Sequence, residues 1–153
     1  MKTLEFLKSE VLKSCQQMAC THGYKYWICE DFVYKTNIRP KKDLVADFVA
    51  LRTDGWLLIE KGFAYDGPSG CTIDTDTNMR AALVHDAVYY LLRQCEYDQD
   101  VKDQSDQELH NLMIKDGAYG WRARIYRWAV SKFGKSSANK RRKVYKHPKL
   151  KND

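Results

Sequence analysis

The sequence lacks a long apolar run. No uncharged stretch approaches the ~20 residues that a helix needs to cross a bilayer. Charges at Lys2, Glu5 and Lys8 interrupt the place where a leader would be apolar, so we expect no secretory signal peptide. Internal repeats and low-complexity stretches are missing as well. These absences argue against membrane-spanning, fibrous and repeat proteins, and we expect a soluble globular chain.

Paired cysteine motifs are also missing. The five cysteines form an odd number, without a C-x-x-C pair and without histidines at zinc spacing: Cys15, Cys20, Cys29, Cys71 and Cys95. We therefore expect reduced thiols and a reducing compartment such as a cytosol. Cys71 and Cys95 have no evident base beside them, which argues against a cysteine nucleophile.

The positive charge is concentrated at the end of the chain. The net charge is +6, and residues 135–153 carry eight of the basic side chains, namely Lys135, Lys140, Arg141, Arg142, Lys143, Lys146, Lys149 and Lys151. With 153 residues the chain has the size of one domain. We predict a single domain over residues 1–134 and a basic tail over 135–153. The tail is either a solvated terminus or a surface that attracts nucleic acid or an anionic membrane.

The N-terminal half favours strands. Apolar spacing predicts a helix over residues 3–19, and β-branched and aromatic residues predict strand from Tyr24 to Ile38. The clearest element is a hairpin of residues 48–51 and 56–59, in which Asp54-Gly55 suits the positive φ of a tight primed turn.

The C-terminal half favours three helices. The first begins at Thr77 or Asn78, and the second begins near Asp103 or Ser105 and stops at Gly117. The second is predicted to bury Leu109, Leu112, Met113 and Ile114. The third, residues 121–133, has Trp121, Ile125, Trp128 and Ala129 on one face and Arg122, Arg124 and Arg127 on the other, and we assign its aromatic residues to packing. The predicted fold is α+β, a small antiparallel sheet packed against about three helices.

The first of these helices carries the most informative polar residues. His85 and Tyr89 are four apart and share a face, and Asp86 projects beside them. Upstream, the loop from Asp66 to Gly70 contains glycines that let backbone oxygens turn toward a ligand. Carbonyl oxygens with one or two carboxylates are hard ligands, which suit calcium.

These residues predict a hydrolytic site. Asp86 would be the side-chain ligand, leaving His85 as a general base. Asp106, on the next helix, would accept a hydrogen bond from the far imidazole nitrogen, so that the near nitrogen can take a proton from water. The alternative is a structural latch, in which Asp86 caps or bridges a loop and His85 is a half-buried, hydrogen-bonded histidine. A two-metal His-Asp phosphohydrolase is disfavoured, because His22 is the one histidine upstream.

The chain resembles the DUF1353 family of bacteriophage and prophage proteins. The resemblance rests on Tyr65-Asp66-Gly67-Pro68-Ser69-Gly70, residues 80–89, Ser105-Asp106 and Phe133-Gly134, which occur in the family's order. It implies a phage-encoded accessory protein in the cytoplasm of an infected bacterial host or in the virion. It implies no particular activity, and binding of a host protein or a nucleic acid is the alternative to catalysis.

A shorter pattern, His85-Asp86-x-x-Tyr89 after a glycine-containing loop, is similar to phospholipase A2. That resemblance implies that His85 is the base, that Asp106 orients it and that Tyr89 supports the network. It further implies a lipid or ester substrate and Ca²⁺ as cofactor. The calcium ligands would be the Asp86 side chain and the preceding loop. The loop residues in this ligand set are Tyr65, Asp66, Gly67 and Ser69.

Overall fold

A computed structural model of the protein describes residues 15–17, 26–65 and 76–139. The strands are β1 Cys15–Gln17, β2 Tyr26–Ile28, β3 Phe32–Lys35, β4 Leu44–Val45, β5 Val49–Leu51, β6 Trp56–Ile59 and β7 Ala64–Tyr65. The helices are α1 Asp76–Gln94, α2 Gln99–Lys115 and α3 Gly120–Asn139. Strands occupy the N-terminal half and helices the C-terminal half, which confirms the predicted α+β fold.

The strands form two antiparallel sheets. One has the order β1-β2-β7 and the other the order β3-β6-β5-β4. Leu57 and Ile59 of β6 are buried while Trp56 is exposed, so alternate residues of this strand face the core. In the register of the second sheet, Leu57 lies opposite Leu51 of β5, another buried residue. Helix α1 packs against this sheet at β5.

The predicted hairpin is confirmed, but its turn is of another type. The backbone N–H of Gly55 donates to the Arg52 carbonyl at 2.8 Å, and that of Arg52 donates to the Trp56 carbonyl at 2.9 Å. Gly55 has φ +92°, and in the described residues no side-chain-bearing residue has a positive φ. The connection is therefore a three-residue loop with glycine in the left-handed position. The tight primed turn would have required positive φ at Asp54 also.

Two predictions for the N-terminal half were wrong in part. Residues 15–17, inside the predicted helix 3–19, form β1 and pair with β2; the other residues of that helix lie outside the described ranges. The long strand from Tyr24 to Ile38 is divided into β2 and β3, which belong to different sheets. Both differences arise from pairing with distant strands, which the local pattern does not contain.

The helix boundaries follow their caps. Helix α2 begins earlier than predicted because Asp98 precedes it and its carboxylate accepts from the backbone N–H groups of Asp100 and Val101, at 2.8 and 3.3 Å. It stops where predicted, with Gly117 at φ +91°. Ile114, which was predicted to be buried, is exposed on this helix.

Helix α3 presents the opposite face from the one predicted. Trp121, Ile125 and Trp128 are exposed, while the side of α3 that packs on the fold is formed by Ala123, Tyr126, Gly134 and Ala138. Small side chains on that side permit a close approach to the neighbouring helices. The helix also continues to Asn139, past residue 135, where the basic tail was predicted to begin; residues 140–153 lie outside the described ranges.

Among the described residues, no helix combines the length and the apolar character that crossing a membrane requires.

Candidate functional site

A buried carboxylate, Asp106 of α2, is the centre of a polar cluster between the three helices. Its Oδ1 is 3.1 Å from His85 Nε2 and accepts a hydrogen bond from the Tyr89 hydroxyl at 2.8 Å. Its Oδ2 accepts from Lys102 Nζ at 2.7 Å and, at 3.4 Å, from the hydroxyl of Ser131 on α3. The structure thus brings together His85, Tyr89 and Asp106, as the sequence predicted.

The negative charge of Asp106 determines which nitrogen of the His85 imidazole carries a proton. Burial opposes ionisation of this carboxyl, but hydrogen bonds from His85 and Lys102 outweigh that effect and hold its pKa below the ordinary value. An ionised carboxylate only accepts hydrogen bonds, so His85 must donate from Nε2. In the neutral ring, Nδ1 is then the atom with a free lone pair.

Nδ1 of His85 faces a second carboxylate. It lies 3.8 Å from Oδ1 of Asp86, which is close enough for attraction but too far for a direct hydrogen bond. The Asp86 side chain is 26% exposed, against 9% for His85, so Asp86 is the more accessible member of the pair. The open side of the ring therefore has an acidic, partly solvated neighbour.

The two carboxylates favour a protonated ring. Burial alone would lower the pKa of His85, but the hydrogen bond to Asp106 and the interactions with Asp86 outweigh it and raise the pKa above 6.5. The ring is thus a stronger base than a free histidine. Burial, followed by the neighbouring Asp106 charge, raises the pKa of the Tyr89 hydroxyl, so this group stays a hydrogen-bond donor.

Lys102 was not predicted from the sequence. This lysine is buried, forms the ion pair with Asp106 and also donates to the Val130 carbonyl of α3 at 3.5 Å. In sequence it is a lysine four residues before an aspartate on a helix, a spacing that is common on solvated surfaces. The pattern could have suggested the pair, but it contains no sign that the pair is buried. Ser131 was not predicted either, because a single helical serine carries no sign of the distant residue that its hydroxyl contacts.

A glycine on α3 makes room for the cluster. A Cβ added to Gly134 would lie 3.1 Å from two ring carbons of Tyr89 and still closer to its hydroxyl oxygen. No side chain larger than hydrogen fits this position without displacing Tyr89. The Phe133-Gly134 pair of the family resemblance thus has a packing role at its second residue.

The predicted calcium ligands are only partly described. Asp66, Gly67 and Ser69 lie outside the described ranges, while Tyr65 is a buried residue of β7, where it pairs with Tyr26. Within residues 15–17, 26–65 and 76–139, no group of three or more His, Cys, Asp or Glu side chains is arranged to hold a metal ion. Calcium takes six to eight oxygen ligands. Of the described side chains, Asp86 fits as a calcium ligand, and the remaining ligands of the ion would be backbone oxygens and water.

A second buried polar cluster joins the helices to the sheet. The Arg80 guanidinium forms two hydrogen bonds to Asp116, at 2.5 and 3.1 Å, and stacks over the Tyr34 ring. The Tyr34 hydroxyl donates to Glu108, and burial together with the Glu108 charge raises its pKa to about 12. Both acids are already paired with donors, and the cluster is best explained as a structural tie.

No family model, curated protein or solved structure matched the chain in our comparisons. The relation to DUF1353 stays a prediction from motifs.

Proposed function

We propose that this chain is an ester hydrolase of the phospholipase A2 type, acting as a phage accessory protein. One observation carries the proposal: His85 Nε2 is 3.1 Å from Asp106 Oδ1, which also receives the Tyr89 hydroxyl at 2.8 Å. A carboxylate that fixes one ring nitrogen of a histidine leaves the other to act on a proton. The pattern of base, orienting acid and supporting tyrosine is the one the sequence resemblance implies.

The cluster is suited to removing a proton from water. Nδ1 would accept the proton of a water molecule that attacks an ester carbonyl, and the resulting imidazolium would return this proton to the leaving alcohol oxygen as the ester C–O bond breaks. Asp106 would stabilise the imidazolium through the hydrogen bond at Nε2. Lys102 binds the other oxygen of Asp106, which holds the carboxylate in place. The raised pKa of His85 is the equilibrium expression of the same stabilisation.

We propose calcium as the cofactor, with Asp86 as its side-chain ligand and the backbone of residues 65–69 as the further ligands. When bound, such a cation would polarise the ester carbonyl. Asp86 is suited to this role because its carboxylate is partly exposed and makes no direct hydrogen bond to His85.

Hydrolysis assays test the proposal. The full chain should release fatty acid from phospholipid vesicles or acid from a short-chain ester in the presence of calcium, and chelator should reduce the rate. The variant His85→Gln should lose at least a hundredfold, the usual contribution of a general base. His110→Gln makes the same chemical change on α2 outside the cluster and should retain the rate. Background rates in the native chain with calcium would contradict the proposal.

The second candidate is a structural latch in a non-catalytic binding protein. The observation that favours it is that both Asp106 oxygens are bonded and that their donors come from all three helices. On this alternative, His85→Gln lowers the free energy of unfolding while every variant, including the native chain, hydrolyses at background.

The partner in this alternative would be a nucleic acid held by the basic tail, or a host protein. A chain that ends at Asn139 keeps all of α3 and removes the basic residues that follow. It should show weaker nucleic-acid retention and a flatter salt dependence than the full chain. Unchanged retention would show that the basic tail does not bind the nucleic acid.

A further inference from the structure

The outer face of α3 is an apolar stripe without a partner in the described residues. Trp121, Ile125 and Trp128 are 60, 54 and 58% exposed, and Phe133, beside Trp128, is 68% exposed. The Trp128 and Phe133 rings pack edge to face with centroids 5.9 Å apart. Singly exposed apolar residues are ordinary on a protein surface, but a contiguous patch of large ones marks a contact with another body. We call these four residues the outer stripe.

The outer stripe lies among cations. Arg124, Arg127, Lys132 and Lys135 are exposed on the same helix. No acidic residue occurs in the sequence from Gly117 to Asn152. Helix α3 therefore attracts anions and carries no carboxylate of its own to oppose them.

The inner side of the helix fixes this orientation. The Val130 carbonyl and the Ser131 hydroxyl bond to the Lys102–Asp106 pair, and Gly134 packs on Tyr89. Rotating α3 to bury the tryptophans would break these contacts and place basic side chains in the core. The outer stripe is thus a fixed feature of the folded surface.

We propose that the outer stripe docks the protein on an anionic lipid bilayer, with α3 lying in the plane of the interface. Helices of this type bury aromatic and aliphatic residues at the level of the headgroups and place Lys and Arg near the lipid phosphates. The stripe includes an aliphatic residue, Ile125, and lies on a convex helix that can meet a flat surface along its length. This proposal stands on contacts separate from those of the proposed hydrolase.

Other occupants suit the surface less well. A single-stranded nucleic acid is bound in a basic groove with aromatic rings on which bases stack, whereas α3 is convex and its stripe includes an aliphatic side chain. A second copy related by twofold symmetry would bring Arg124, Arg127 and Lys132 against their own equivalents without an acid between them. An anionic bilayer satisfies both the apolar stripe and the cations.

Vesicle binding tests the proposal. The full chain should co-sediment with vesicles of phosphatidylcholine and phosphatidylglycerol at least tenfold more strongly than with phosphatidylcholine alone. The double variant Trp121→Ser/Trp128→Ser should lose roughly tenfold or more in partitioning, from the apolar area withdrawn, although the basic tail is intact. Arg124→Gln/Arg127→Gln should lose a similar factor on anionic vesicles only. Trp56→Ser removes an exposed tryptophan of β6 and should bind like the native chain.

The same variants also define the results that would contradict the proposal. Circular dichroism tests whether the tryptophan variant keeps its helices, so that a loss of binding is not mistaken for a loss of folding. Full binding by the folded double variant, or equal binding to neutral and anionic vesicles, would overturn the proposal. Tighter retention of a single-stranded oligonucleotide that depends on the stripe, or self-association in sedimentation velocity that the double variant abolishes, would overturn it in favour of those occupants.

Discussion

Replacing Asp106 by asparagine should destabilise the fold severely, although the two side chains have the same shape. The carboxylate receives donors on both oxygens, from His85 and Tyr89 on one and from Lys102 and Ser131 on the other. Asparagine has one acceptor oxygen and turns an NH₂ group toward the other donors. Lys102, buried, would also lose its counter-charge.

The size of the loss follows from that arrangement. Removing one partner of a buried ion pair costs about 3–5 kcal/mol, and we expect Asp106→Asn to lose this amount in urea unfolding at pH 7. Asp103→Asn is the matched control, because Asp103 is an exposed residue of the same helix whose carboxylate accepts from Gln99. It should cost less than about 1 kcal/mol.

A double variant separates the ion pair from simple misfolding. In Asp106→Asn/Lys102→Met no buried ammonium is left without a counter-charge, so the double variant should be more stable than the sum of the single changes predicts, by about 0.5–3 kcal/mol. A loss below about 1 kcal/mol for Asp106→Asn, or additive effects in the double variant, would refute a tightly coupled buried pair.

Three further predictions concern packing, charge and pH. Gly134→Ala should destabilise by about 1–3 kcal/mol despite its better helix propensity, because the site is filled, whereas Gly120→Ala, with nothing within 4 Å, should not; thermal melts compare them. Arg80→Met should cost about 3–5 kcal/mol by removing one partner of a buried ion pair, whereas Glu96→Gln, which breaks an exposed pair, should cost less than about 1 kcal/mol in urea. The pKa of His85 is raised on folding, so protonation of its ring stabilises the fold. This contribution is complete below about pH 6.5, the unfolded pKa, and disappears as pH rises through the folded pKa. The stability difference between the native chain and His85→Gln, measured at several pH values, should shrink over that range.

Local patterns predicted the elements that are determined locally. The hairpin of β5 and β6 needed only two apolar runs and a glycine that adopts positive φ, and α1 needed apolar residues at helical spacing. The proximity of His85 and Asp106 was also predictable, because consecutive helices with a short connection pack side by side and both residues lie on inward faces. For the same reason Tyr89, four residues after His85, reaches the same carboxylate.

Features that depend on distant contacts could not be predicted in this way. β1 is a strand because β2 pairs with it, and three residues carry no period of their own. The sequence of α3 has an apolar stripe that ordinarily faces a core, yet small residues on the other side permit closer packing and Gly134 admits Tyr89. Lys102 has the spacing of a surface ion pair, and its burial is a property of the assembled helices.

The measurement that tests the central claim most directly is an NMR titration of the His85 ring, by long-range correlation of its carbon-bound protons with both nitrogens. His85→Gln assigns the signals. The structure predicts a pKa above 6.5 and, at higher pH, a neutral ring with the proton on Nε2 and a free lone pair on Nδ1. A neutral ring protonated on Nδ1, or a pKa at or below 6.5, would contradict the assignment of His85 as a base oriented by Asp106.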